Sequence, residues 1–346
     1  MYKIFTFVLA VILLFSCTQE YTPRNFQTIS LQSISMDSTS IRAIVAVDSS
    51  KVYFVGSDGS HGFQWTGEKP APISFIRYED SIIPHFRSIA TNGSDYFALS
   101  IGNPALLYKL DYETSNLVYK EENEKVFYDS MKFFDEKHGI AMGDPTEDCL
   151  SIILTEDGGQ TWEKLPCESL PKVVEGEAAF AASNTNIKVL GATAWIVTGG
   201  KQARVFKSDD YGKTWKVYET PIIHGNGPQG IYSVDFADEN NGFVIGGNYS
   251  KADENIANKA ITTDGGKTWS LVANGKEPNY KSCVQYVPNT SGKELFAVDK
   301  TGISFSNDGG YTWKKVSNEG FYVIQFVDEN TAWLAGNQKI AKLKLN

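Results

Sequence analysis

The sequence predicts an all-β chain folded as a single β-propeller, with seven four-stranded blades and a ring closed by an N-terminal strand. Three observations carry that expectation. An eight-residue turn pattern recurs four times in register, a fixed order of apolar strands precedes each copy, and the last unit lacks one strand that a segment near the start can supply. Composition agrees, since 42 % of the 346 residues are hydrophobic and 13 % aromatic, enough to bury a core and to favour strands over disorder.

Taken from the start, Met1-Tyr2-Lys3 gives a positive n-region, and the apolar run that follows as far as Phe15 is too short to cross a bilayer comfortably, so residues 1–16 read as a signal peptide. Its end, Leu14-Phe15-Ser16-Cys17, resembles the lipobox of bacterial lipoproteins, in which the Cys is diacylated and becomes the new N-terminus. Cys17 is then the lipid anchor, residues 17–24 a lipidated tether and residues 25–346 the propeller. Two acyl chains hold a protein on a membrane where one binds only marginally. Thr18 rather than Asp after the Cys points, by analogy with Gram-negative lipoproteins, to the outer membrane. The expected location is therefore the bacterial cell envelope, after export.

Residues 26–31 alternate as an orphan strand. Degenerate units follow at residues 41–65 and 85–120, the second with Asp111-Tyr112-Glu113-Thr114-Ser115 where a full turn pattern would stand. Complete copies then come as Thr155-Glu156-Asp157-Gly158-Gly159-Gln160-Thr161-Trp162, Ser208-Asp209-Asp210-Tyr211-Gly212-Lys213-Thr214-Trp215, Thr262-Thr263-Asp264-Gly265-Gly266-Lys267-Thr268-Trp269 and Ser306-Asn307-Asp308-Gly309-Gly310-Tyr311-Thr312-Trp313. This is the Asp-box, and the 44 to 54 residues between successive tryptophans match one blade per copy. Physically it is a hairpin turn: the carboxylate accepts turn amides, the Gly allows positive φ and the indole packs beside the turn. Asp157, Asp210, Asp264 and Asp308, with Trp162, Trp215, Trp269 and Trp313, are accordingly structural. The unit from residue 321 to the end holds three strands and should pair with residues 26–31, removing the open edges of the ring.

The rhythm Phe-x-Asp, Gly, Gly, Thr-x-Asp-Gly-Gly-x-Thr-Trp over residues 127–336 resembles the bacterial-neuraminidase-repeat superfamily and, more narrowly, propellers similar to the photosystem II stability and assembly factor. The narrower resemblance implies a seven-bladed propeller that binds proteins during complex assembly. The wider one includes sialidases and other glycoside hydrolases, and fold alone does not choose between them.

Innermost propeller strands begin around one channel mouth, so residues far apart in sequence converge there. The opening positions offer Arg87, Asp129, Glu177, Tyr232 and Lys281, with Asp144 and Arg204 following second strands. These form a candidate binding ring. The insertions at residues 220–230 and 248–258 are candidate contact loops. Cys149 and Cys167 flank the first complete box and can bridge across a hairpin, although free thiols remain open at this point; Cys283 reads as a small buried residue.

A net charge of −9 and the lack of any basic run exclude a nucleic-acid partner. The four histidines stand singly, and phosphate loops, Rossmann fingerprints and serine elbows are missing, so no metal or cofactor is expected. A sialidase needs three clamping arginines, and the chain holds only Arg24, Arg42, Arg77, Arg87 and Arg204, without the Phe/Tyr-Arg-Ile-Pro signature of that family. The primary expectation is a monomeric, non-catalytic binding or assembly protein whose partner is an envelope protein complex or a glycan. The alternative is a glycoside hydrolase using Asp129 and Glu177 as its two carboxylates.

Overall fold

The computed structural model describes residues 21–345 except 68, 69, 71, 112 and 113, so the expected signal peptide and the expected anchor Cys17 lie outside the described residues. Antiparallel sheets are arranged as a propeller. Of two long strands, Ser30–Ala46 serves two blades, whereas Thr331–Lys344 supplies two strands of one, its first half pairing with Val323–Phe326 and its second with residues 30–35. Residues 30–35 pair with 339–344, joining the two ends of the chain, while residues 41–46 pair onward with Lys51–Gly56. Positive φ at Ser38 (65°) and Gln338 (57°) marks the division of each strand. Divided there, the strands fall into groups of four that accommodate the seven expected blades. Their innermost members are residues 41–46, Phe86–Thr91, Tyr128–Phe133, Ile187–Leu190, Gln229–Phe236, Cys283–Tyr286 and Val323–Phe326. The closing strand starts at Ser30, slightly later than the alternation at 26–31 suggests, because Phe26 is instead buried with its ring 5.1 Å from Phe305.

The Asp-boxes staple neighbouring blades together. In the third copy Asp264 Oδ1 accepts the amides of Lys267 (3.0 Å) and Thr268 (2.9 Å) and the Thr262 hydroxyl (2.8 Å), and Oδ2 accepts the Thr268 hydroxyl at 2.6 Å. Trp269 Nε1 donates to Gly266 O at 3.0 Å. Gly310 shows why the box needs glycine: its φ is +95°, and a Cβ there would stand 2.2 Å from the Phe243 ring of the preceding blade. Trp195 of one repeat likewise donates to Gly265 O in the next repeat's box at 2.9 Å. The degenerate unit keeps half of the device, since Asp111 accepts the Thr114 amide and hydroxyl, each at 2.6 Å.

Burial disfavours ionisation of Asp264, but the hydrogen bonds of the turn outweigh it and hold its carboxyl down at about 2. A depressed carboxyl stabilises the fold above its ordinary range near 3.8, and that stability is lost as pH falls towards about 2. Asp264→Ala is therefore expected to cost about 1–3 kcal/mol at pH 7, from the loss of charge-assisted bonds, and progressively less towards pH 2. Urea denaturation at the two pH values reads this, and an equal penalty at both would contradict it.

Gly139 pairs with both Phe133 and Thr155, so the box turns project from the blade end where the innermost strand finishes. The opposite end carries the channel mouth. Cys149 and Cys167 form a disulfide with Cα atoms 5.7 Å apart, and Cys283 is a buried free thiol.

Candidate functional site

Six of the seven innermost strands are irregular near their start. Register shifts between Ile41 and Ala43, Phe86 and Ser88, Tyr128 and Ser130, and Ile231 and Ser233 leave Arg42, Arg87, Asp129 and Tyr232 as the extra residues. Ser282 and Tyr322 double up in the same way. The Ser282 amide donates to Val298 O while Cys283 pairs with Val298, and the Tyr322 amide donates to Ala335 O while Val323 pairs with Ala335. A bulge re-aims its side chain. Arg42, Arg87, Tyr232, Ser282 and Tyr322 all line one cavity of about 430 Å³ at the mouth, together with Asp144, Phe180, Tyr249 and Tyr280.

The cavity is blind because residues 179–186 cross the channel beneath it. Asn184 Nδ2 donates to Ile89 O (2.7 Å), and its Oδ1 accepts the Met131 amide (3.0 Å) and the Ser130 hydroxyl (3.1 Å). Ser183 reaches Ser282 O at 2.7 Å and Thr185 reaches Ser233 Oγ at 2.8 Å. Arg42 and Arg87 hold the same segment from above, donating to Ala182 O (3.2 Å) and Ala181 O (3.1 Å). The innermost strands of five repeats thus grip one plug, whose small residues Ala181, Ala182 and Ser183 suit the narrow axis. A second cavity of about 190 Å³, lined by Lys132, Lys188 and Asp235, lies on its other side.

Neither Arg42 nor Arg87 has a carboxylate within ion-pair distance among the described residues, although both are largely buried. Burial and then the Arg42 charge pull the Arg87 guanidinium down to about 10, and burial lowers Arg42 as well. Arg42 stacks 4.0 Å from the Tyr322 ring centroid. Burial, then Arg87 and Arg42, pull His85 down to about 4, leaving it neutral at pH 7. Aromatic rings form the remaining wall: Phe180 stacks on Tyr232 at 3.9 Å, and Tyr280 meets Tyr232 edge-on at 4.8 Å. The second insertion adds Tyr249 to this wall, and the first braces the second, the Ile223 amide donating to Ala257 O at 2.7 Å.

Behind the cavity Asp129 is fully buried, and neither of its carboxylate oxygens has a hydrogen-bond partner among the described residues. Burial and then the charge of Asp144 push its carboxyl well above the usual range, against the pull of Arg87. Burial also pushes Asp144 up to about 6, opposed by its bond from the Ala179 amide at 2.8 Å. A raised carboxyl contributes its stability in full below the ordinary value near 3.8 and loses it as pH rises through about 6. Asp144→Asn keeps the acceptor for Ala179, so the variant is expected to match the wild type at pH 4 and exceed it in stability at pH 7.5. Parallel pH profiles of the denaturation midpoint would refute this.

Of the residues expected at the mouth, Arg87, Asp144 and Tyr232 line the cavity, and Asp129 lies just behind it. Glu177 and Arg204 are brought together elsewhere as a buried pair at 2.5 Å, with Thr198 also bonded to Glu177 at 2.7 Å. Glu177 belongs to the short strand Glu177–Ala178 rather than to an innermost strand, because the plug is inserted ahead of Ile187–Leu190. The carboxylate beside Asp129 is thus Asp144, not Glu177. Lys281 is one residue ahead of the bulge and is spent on Asp299 at 2.7 Å, both side chains buried. Sequence reasoning passed over Arg42 as a mouth residue. Its signal was the alignment of Ile41-Arg42-Ala43 with Phe86-Arg87-Ser88 at the start of another innermost strand.

The BNR/Asp-box repeat family matches residues 260–271. No curated protein matches the chain by sequence. Among solved structures, one described as YCF48 bound to D1 peptide superimposes with a TM-score of 0.67 at 13 % identity, covering 94 % of this chain and 98 % of that one. YCF48 from Cyanidioschyzon merolae gives 0.61 at 11 % identity, covering 91 % and 98 %. The WD40 repeats of RRP9 give 0.65 at 10 % identity, covering 92 % and 100 %. At these identities the likeness establishes the propeller fold.

Proposed function

We propose that this chain is a lipoprotein of the bacterial cell envelope, held on the outer membrane through Cys17, whose propeller captures a polypeptide of an envelope complex at the channel mouth without catalysing its turnover. The observation that carries the reading is the pair Arg42 and Arg87: two largely buried guanidiniums on one cavity with no carboxylate within ion-pair distance among the described residues. Burying cations unpaired is costly, and a site that does so is built to receive an anion. Tyr232, Tyr249, Tyr280 and Tyr322 around them give the apolar, amphipathic walls on which peptide side chains pack. A neighbour of the same fold described with a bound peptide supports a polypeptide as the occupant.

The alternative, a glycoside hydrolase, draws on Asp144 and Asp129, a lining carboxyl near 6 with a second raised carboxyl behind it, as acid catalysis requires. Pull-down of the native lipoprotein from solubilised envelopes, run beside a screen of the mature protein against glycans and chromogenic glycosides, separates the two. Co-purification of an envelope complex without turnover supports capture. Hydrolysis abolished by Asp144→Asn or Asp129→Asn would replace it with an enzyme.

A further inference from the structure

We infer that the propeller stands on the bilayer with its Asp-box face against the lipid and its arginine-lined mouth turned away, an inference that rests on the lipidation of Cys17 proposed above. The first described residues do not hang free. Arg24 donates through Nη2 and Nε to Glu294 Oε2 at 2.7 and 3.0 Å, and its own amide reaches Glu294 Oε1 at 2.7 Å. The Tyr21 hydroxyl joins the same oxygen at 2.5 Å, and Arg24 Nη1 reaches Asn330 Oδ1 at 2.8 Å. Asn307, inside the fourth box, returns a bond to Arg24 O at 2.8 Å.

Every one of these partners belongs to the box end of its blade. Glu294 precedes Leu295, which pairs with Tyr286 at the finish of its innermost strand and with Ser306 at the start of the box. Asn330 follows Phe326, where the last innermost strand finishes. The Glu294 side chain is 0 % exposed, so the clamp is a fixed point of the fold and not a surface contact.

Three residues separate Cys17 from Tyr21. A chain reaches at most ~3.6 Å per residue, so an acylated Cys17 lies within ~14 Å of the clamp. The six residues of Tyr128–Phe133 rise ~20 Å between mouth and box face. The tether is too short to bring the mouth to the bilayer. Tyr311, 59 % exposed in the box that holds Arg24, presents an amphipathic ring at the height where aromatic side chains settle into the headgroup region.

The test uses the lipidated full chain in phosphatidylethanolamine/phosphatidylglycerol vesicles that carry a headgroup nitroxide quencher. A fluorophore is placed at Tyr311→Cys on the box face or at Asn226→Cys on the mouth-side loop. Several-fold stronger quenching at position 311 is expected; equal quenching, or the reverse, overturns the orientation. Acyl mass on Cys17 and loss of vesicle sedimentation in Cys17→Ser test the anchor separately, and an unacylated chain would remove both readings. Glu294→Gln, checked for an unchanged melting transition in the unlipidated chain, is expected to keep sedimentation while the difference between the two positions shrinks. If that difference stays intact in Glu294→Gln, the clamp does not set the orientation and the inference fails.

Discussion

Replacing Arg42 and Arg87 together by methionine is expected to weaken capture of an anionic polypeptide by at least about a hundredfold, since each lost charge-assisted bond is worth about 1.5–3 kcal/mol and about 2.7 kcal/mol is already a factor of a hundred. The same change is expected to leave the fold as stable as before, or more so. In the free protein the two guanidiniums repel one another and are desolvated, which is what pulls Arg87 down, and against this stand only single bonds to Ala181 O and Ala182 O, a long contact of Arg87 with His85, the pull of Asp129 on Arg87 and the stacking of Arg42 on Tyr322. Loss of binding with retained stability is the pattern of groups held for a ligand. Titration by calorimetry beside denaturant melts of each single and the double variant measures both sides. A double variant that binds normally, or that unfolds, would remove the arginines from the functional account. Binding should also tighten between pH 7.5 and 5, because Asp144 loses its competing negative charge on passing below about 6.

Asn184→Ala is expected to destabilise the protein by about 3–5 kcal/mol, because a buried amide is lost and its three partners are left without it. The residue is 2 % exposed and sits at a φ of 58°, a left-handed conformation that asparagine accepts and alanine resists. Its loss strands the Met131 amide, the Ser130 hydroxyl and Ile89 O inside the ring. Asn184→Asp keeps both accepted bonds but sets a buried carboxylate oxygen against Ile89 O, so its cost is expected to rise with pH as the carboxyl ionises. A midpoint shift smaller than about 1 kcal/mol for the alanine variant would mean that the plug is held by its backbone and not by this side chain.

The legible part of the molecule was whatever repeats. Asp157, Asp210, Asp264 and Asp308 announce their turns because the same local bonds recur wherever the same eight residues occur, and local bonds need no knowledge of the rest of the chain. The mouth was readable to the extent that it follows the repeat, which is why Arg87 and Tyr232 were found at equivalent bulges. Glu177 was misplaced because residues 179–186 break the repeat: an inserted plug shifts the innermost strand by ten residues, and nothing local distinguishes it from an ordinary loop. Arg42 escaped because its repeat has no box to set the register. The pairing of Lys281 with Asp299 and of Glu177 with Arg204 depends on which face a side chain takes, and a one-residue displacement at a bulge reverses that face.

The strand pairing that joins residues 30–35 to 339–344 also sets a clock on maturation. In the exported lipoprotein proposed above, the first strand to leave the translocation pore would wait, without its partner, until nearly all of the chain had followed it. Such distant pairing makes assembly slow and leaves an adhesive edge exposed in the meantime. The early clamp of Tyr21 and Arg24 faces the same delay, because Glu294 and Asn330 arrive late. The closing strand and the clamp of residues 21–24 are therefore completed at one moment, when the last blade is in place, and a partly made chain has neither.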